Sequence, residues 1–202
     1  MLKFKNMLEE KREKFKKIEE EIGRIFSKLG PSPNQYTLNS IVFGIFCFVS
    51  LIFRNFILAL IFFLVSAILD LVDGAVARYS NKVTKAGAYL DTISDRFVEG
   101  LIFLGLLSLP LPKFIIEAKY WIFLAFFGSL MTTYAKAAAK EKELVSQELK
   151  KGFFGRGERM ILLAITIFGG ILNQNLMIYP ISFLAVLSNL TALQRIILAL
   201  RP

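Results

Sequence analysis

The sequence predicts an all-α integral membrane protein: six transmembrane helices preceded by an amphipathic helix lying in the membrane interface. Three observations carry that expectation. The 202 residues are 55% hydrophobic, and the mean hydropathy is +0.56, too apolar for a soluble domain of this length. The apolar residues fall into six runs rather than spreading evenly. Lysine and arginine, finally, collect on alternate connections between those runs.

Residues 1–30 form the first segment and mix Lys and Arg with Glu. Phe15, Ile18, Ile22, Ile25 and Leu29 recur at steps of three and four, which traces one helical stripe. That stripe suits a helix in the membrane interface with its lysines toward anionic headgroups, in preference to a solvated helix packed on its own protein. Pro31 and Pro33 end it. A membrane domain over residues 31–202 follows, with apolar runs at 36–53, 56–77, 88–109, 118–139, 160–174 and 176–194. Several approach the about 20 residues that a bilayer crossing needs, and the fifth is short.

The connections alternate in charge. Arg54, Lys113 and Lys119 are the cations of one set. The other set holds nine Lys and Arg in the N-terminal segment, three over residues 78–85, seven over 136–159, then Arg195 and Arg201, while Arg96 falls inside a run. The asymmetry places both termini and the basic loops in the cytoplasm of a multi-pass protein of the cell membrane. The net charge of +9 is then a topology signal and not a nucleic-acid footprint, so no nucleic-acid partner is expected. No cleavable signal peptide is visible in the charged first segment.

Composition also limits the chemistry. The chain has no histidine, and its one cysteine, Cys47, sits in an apolar run. Imidazole acid–base catalysis, thiolate metal sites and disulfides are excluded, which leaves carboxylates as the metal ligands. The four aspartates, Asp70, Asp73, Asp91 and Asp95, fall within 26 residues, at the end of the second run and the start of the third. Spacings of three and four put each pair on one face of its helix, and the short connection lets the two pairs converge. Carboxylates at a membrane boundary are costly and mark function. An all-oxygen cluster of this kind suits Mg²⁺, Mn²⁺ or Ca²⁺, and so many anionic oxygens can hold two ions. The alternative is a set of structural ion pairs with Arg78, Lys85 and Arg96.

Around the aspartates, Gly74 and Ala77 remove side-chain bulk where a ligand would approach helix backbone, Arg78 offers a forked donor for phosphate, and Thr84 and Gly87 flank the next helix start. The stretch Asp70-x2-Asp73-Gly74-x2-Ala77-Arg78-x8-Gly87-x3-Asp91-x3-Asp95 resembles the signature of the CDP-alcohol phosphatidyltransferases at every fixed position. The resemblance implies a membrane transferase that moves the phosphatidyl or archaetidyl group of a CDP-lipid onto an alcohol and releases CMP. It implies Mg²⁺ or Mn²⁺ on Asp70, Asp73, Asp91 and Asp95, with two ions, and Asp95 as the base as well. Gly74, Ala77, Arg78, Thr84 and Gly87 would contact the CDP donor, and a homodimer is expected.

Three further stretches resemble the branch whose acceptor is inositol phosphate: Tyr134-Ala135-Lys136, Gly155-Arg156-Gly157-Glu158-Arg159 and Thr191-Ala192-Leu193-Gln194-Arg195. Lys136 and Ala138 stand where that branch has arginine. Lys136, Arg156, Arg159 and Arg195 are the cations expected to receive a phosphorylated polyol. Glycerol phosphate or serine is the alternative acceptor, and a divalent-cation transporter the alternative class. Transport sites favour the bilayer midplane, whereas these aspartates lie at one boundary.

Overall fold

The computed structural model describes residues 2–145 and 152–200. Lys150, Lys151 and Arg201, counted above among the basic connections, lie outside the described residues, as does the side chain of Phe15. The chain is helical in the order α1 (Leu2–Ser27), α2 (Pro33–Ile52), α3 (Phe56–Tyr79), α4 (Lys85–Leu107), α5 (Ala118–Glu141), α6 (Arg156–Leu172), a 3-10 turn (Gln174–Met177) and α7 (Ile178–Ala199). Among the described residues no strand forms beyond an isolated bridge between Phe114 and Ile116.

Local chemistry sets the boundaries. Pro33 opens α2 at the first helical position, and the Gln35 side chain accepts from the Ser32 N–H at 2.7 Å. Asn55 Oδ1 accepts from the Leu58 N–H at 3.1 Å to start α3. Thr84 Oγ1 does the same for α4, accepting from Gly87 N–H at 3.0 Å. Glu158 reaches back to the Gly155 N–H at 2.9 Å and starts α6.

Among the described residues, four segments are long and apolar enough to cross a membrane: Pro33–Ile52, Phe56–Tyr79, Ala118–Glu141 and Gln174–Ala199. The other two expected spans fall short for definite reasons. Helix α4 carries Asp91, Asp95, Arg96 and Glu99 within its length, and α6 has 17 residues, with Arg156, Glu158 and Arg159 in its first turn.

The chain divides into two compact units, one of residues 1–43 and 65–97, the other of residues 44–64 and 98–202. In the first, α1 docks on the end of α3. Ile22 and Phe26 pack against Tyr36, Val72 and Val76. The Tyr36 hydroxyl donates to the Phe26 carbonyl at 2.9 Å. A Cβ on Gly23 would stand 2.6 Å from both the Ala75 carbonyl oxygen and Tyr79 Cβ, so glycine is what permits the approach. The expected stripe is thereby split: Ile22 is used inside the protein, while Ile18, Ile25 and Leu29 remain exposed.

In the second unit α5 and α7 pack at small residues. A Cβ on Gly128 would lie 2.7 Å from the Asn189 backbone nitrogen. Thr132 Oγ1 donates to the Ser188 carbonyl at 3.1 Å, and Asn189 Nδ2 donates to Leu124 O at 2.8 Å. Close backbone approach and side-chain hydrogen bonds replace the hydrophobic drive that a lipid solvent does not supply.

Gly23→Val is expected to displace α1, because the new carbons would overlap a backbone oxygen that cannot move aside. The overpacking should cost about 1–3 kcal/mol. Amide exchange in α1 checks this, and it should accelerate while exchange in α5 and α7 stays as in the parent.

Candidate functional site

Three of the aspartates meet. Asp70 projects from α3 and Asp91 and Asp95 from α4, and one carboxylate oxygen of each lies within 4.8 Å of the others. The helical spacing explains the convergence: Asp91 and Asp95 are one turn apart on α4, and a connection of five residues (80–84) folds α4 back beside α3. All three are half-buried. Like charges this close repel unless a cation or protons compensate them, so the trio fits a divalent ion held by oxygen. Nothing in the set suits a softer metal, since the chain has no histidine and Cys47 is buried away in α2.

Asp73 lies outside that trio. It is 5% exposed, and its Oδ2 accepts from the Thr37 hydroxyl at 2.6 Å. Thr37 is itself buried, and Ser66 Oγ donates to the neighbouring Ser40 carbonyl at 2.7 Å, so α2 and α3 are tied by hydroxyls along this stretch. Arg96 Nη2 approaches Asp95 Oδ2 at 3.7 Å, the one arginine that the apolar runs contained.

Beside the trio is a pocket lined by Thr37, Asp73, Gly74, Ala77, Arg78, Thr84, Gly87 and Asp91, with Asn34 and Lys82 on its margin. All five residues singled out for the donor line this one pocket. Gly74 has a steric reason to be glycine: a Cβ there would stand 3.0 and 3.2 Å from the two terminal nitrogens of Arg78. Gly87 likewise leaves room beside Asn34 Oδ1 and Thr84 Oγ1, at 3.3 and 3.0 Å from where its Cβ would be. The arrangement offers a forked cation, backbone without side chains and adjacent carboxylates, which is what a metal-bound diphosphate requires.

The four cations expected for the acceptor all lie in the second unit. Arg159 is 2% exposed, and its Nη1 donates to the carbonyl and hydroxyl oxygens of Ser129 at 2.8 and 2.6 Å. Its Nε lies 3.9 Å from Glu99 Oε1, and Ser129 Oγ donates to that same oxygen. Arg195 Nη1 donates to Thr132 O at 2.7 Å, so the two arginines dock on neighbouring carbonyls of α5. The 152–155 turn closes over this place, with Phe153 N–H donating to Gln194 Oε1 at 3.2 Å and Gly152 packed on Arg195. Lys136 is half-buried one turn beyond Thr132, and Arg156 opens α6.

The sequence reading missed three groups. Glu99 is a carboxylate inside an apolar run, a signal that a count restricted to lysine and arginine overlooks. Thr37 stands at a polar helix start, and nothing in its position along the chain marks it as the partner of Asp73. Glu19 pairs with Arg78 from α1, and no periodicity separates it from the other glutamates there.

Comparison with known proteins agrees with this geometry. The sequence profile described as CDP-alcohol phosphatidyltransferase matches residues 31–198. The archaetidylinositol phosphate synthase of Pyrococcus horikoshii is 34% identical over 94% of this chain and 95% of its own. That of Aeropyrum pernix is 29% identical over 87% of each. The phosphatidylinositol phosphate synthase of Mycobacterium tuberculosis, solved with CDP-DAG bound, superposes with a TM-score of 0.75 at 22% identity, over 91% of this chain and 94% of its own. The same enzyme with manganese and citrate gives 0.76 at 23% identity, over 90% and 88%. At that identity the likeness is one of fold.

Replacing Glu99 tests the buried pair. Glu99→Ala leaves the Arg159 guanidinium in an apolar setting without its carboxylate, which should cost about 3–5 kcal/mol. Glu99→Gln keeps an acceptor for Ser129 and should cost less. The thermal midpoint in detergent reads both, and Glu99→Ala combined with Arg159→Met should recover much of the loss.

Proposed function

Since the chain belongs to the CDP-alcohol phosphatidyltransferase family, we propose that it transfers the phosphatidyl or archaetidyl group of a CDP-lipid to a hydroxyl of inositol phosphate. The observation that carries the reading is the carboxylate trio of Asp70, Asp91 and Asp95, beside a pocket containing Gly74 and Arg78. The acceptor follows from the relatives, two of which are named archaetidylinositol phosphate synthases. The manganese in the mycobacterial structure supports the same class of ion here.

Asp70, Asp91 and Asp95 would hold Mg²⁺ or Mn²⁺, with Asp73 completing a two-ion set. The bound ions would neutralise the diphosphate and make CMP a good leaving group. Arg78 binds the diphosphate with its terminal nitrogens, over the backbone that Gly74 leaves uncovered. Asp95 takes the proton of the acceptor hydroxyl. The hydroxyl oxygen then forms its bond to the lipid-linked phosphorus, the bond from that phosphorus to CMP breaks, and the lipid gains the inositol phosphate headgroup. Lys136, Arg156 and Arg195 receive the acceptor's phosphomonoester, assisted by Arg159, whose buried pairing with Glu99 also fixes the α5 carbonyls on which the arginines dock.

All six helices from α2 to α7 are read as crossing the bilayer. In α4 the charges are accounted for by the site and by the Glu99 pair, and α6 at 17 residues spans about 26 Å, close to the hydrocarbon thickness. The stripe residues of α1 left exposed, Ile18, Ile25 and Leu29, suit the membrane interface. The charge asymmetry supports a cytoplasmic side for the termini and the aspartates.

An acceptor screen tests the function directly. CMP release from CDP-archaeol and CDP-diacylglycerol is measured with inositol phosphate, glycerol phosphate and serine. Inositol phosphate should be preferred, EDTA should abolish release, and Mg²⁺ or Mn²⁺ should restore it. Preference for serine overturns the acceptor, and full release in chelator overturns the metal role.

Asp95→Asn should reduce turnover roughly 10²–10⁴-fold, the size of a general-base contribution, while CDP binding is retained. Single-turnover CMP release with parallel calorimetry of CDP separates the two. Near-parental turnover removes Asp95 as the base.

A further inference from the structure

The pocket cation Arg78 is contacted from two sides. Its Nη1 and Nη2 stand over Gly74, where a Cβ would lie 3.2 and 3.0 Å from them. Its Nε donates to Glu19 Oε1, and Glu19 belongs to α1 rather than to the helices that build the pocket. From the geometry we infer that Glu19 is a positioning residue: by engaging Nε it holds the Arg78 guanidinium over Gly74, with the terminal nitrogens directed at a donor diphosphate. The inference rests on the proposed function for its ligand.

The edge that Glu19 uses decides between positioning and competition. A carboxylate seated on Nη1 and Nη2 would occupy the fork that phosphate needs. Bonded at Nε, it leaves the terminal nitrogens for the ligand and removes rotamers in which the long side chain swings into water. That freedom is real, because the Arg78 side chain is 58% exposed and is not fixed by burial.

The backbone holding Glu19 is itself fixed. Gly23, one turn further along the same face of α1, abuts Ala75 and Tyr79, the residues flanking Arg78 by three and by one. Ile22 and Phe26 continue that seam against Tyr36, Val72 and Val76. Helix α1 is therefore a brace for the pocket, and Glu19 is the α1 glutamate whose pairing with Arg78 reaches it. Glu21, for comparison, pairs with Arg24 on α1 itself.

The test uses the full-length protein in detergent with a CDP-lipid donor and with CDP as the binding probe. Glu19→Ala should raise the donor KM and the CDP dissociation constant roughly three- to tenfold, as expected for restoring freedom to one long side chain. Its kcat at saturating donor should stay within about twofold, and its thermal midpoint should match the parent. Glu19→Gln, which retains an oxygen acceptor for Nε, should recover part of the loss. In an Arg78→Lys background, where no Nε exists, adding Glu19→Ala should change donor affinity no further. Glu21→Ala should behave as the parent.

An unchanged or improved donor KM in Glu19→Ala overturns the inference, as does an equal loss in the Arg78→Lys background. A parent protein that binds no CDP removes the proposed function and this inference together. A parent that binds CDP beside an unaffected Glu19→Ala removes the inference alone.

Discussion

Mutual repulsion among carboxylates is the constraint to which the first unit answers. Asp70, Asp91 and Asp95 are brought within 4.8 Å by two helices whose connection is too short to let them separate. Such a cluster is tolerable only with compensation, and the surroundings supply part of it. Arg96 approaches Asp95, and Arg78 stands in the adjoining pocket. A divalent cation held by oxygen fits such a cluster. The fit follows from the backbone, which brings carboxylates of two helices together.

Room is the second requirement, and glycine meets it in two different ways. At Gly74 the absent side chain lets a guanidinium lie against helix backbone, which opens a ligand surface. At Gly23 it lets α1 lie against α3, which closes a seam. Gly128 repeats the second use in the other unit, where α5 meets α7 at the Asn189 backbone. A methyl group is too much at Gly23 and Gly128, so these helices are held at distances that ordinary apolar packing would not reach.

The helices and the clustering of residues around Arg78 were legible because both depend on spacing along one or two adjacent segments. Aspartates three and four apart share a helix face whatever surrounds them, and Gly74, Arg78, Thr84 and Gly87 are carried to one pocket by the same two helices. Glu99 and Thr37 were not legible for the opposite reason. Their partners are 30 and 36 residues away, and side-chain geometry alone selects them. The α1 stripe was read as a single surface, yet its members divide between a protein seam and an exposed edge, because the seam needs Gly23 in line with Ile22 and Phe26. The runs at 88–109 and 160–174 were read as spans from apolar content, yet α4 and α6 carry charges or lack the length that the other four segments have.

The charges of Glu99 on α4 and Arg159 on α6 are kept inside the helix packing in a definite way. Glu99, Ser129 and Arg159 lie against one another, and none is more than 3% exposed. Arg195 is satisfied in part by a helix carbonyl, Thr132 O, rather than by a carboxylate. A carbonyl partner and a carboxylate partner have different consequences. Arg159 beside Glu99 is nearly neutral as a pair and adds little field beyond itself. Arg195 on a carbonyl has no opposite charge in that bond to cancel its own. A cation left uncompensated in an apolar helix is expensive to maintain unless something uses the charge. On that argument Arg159, paired with Glu99, chiefly braces α5, while Arg195 is held to the same helix through a backbone carbonyl.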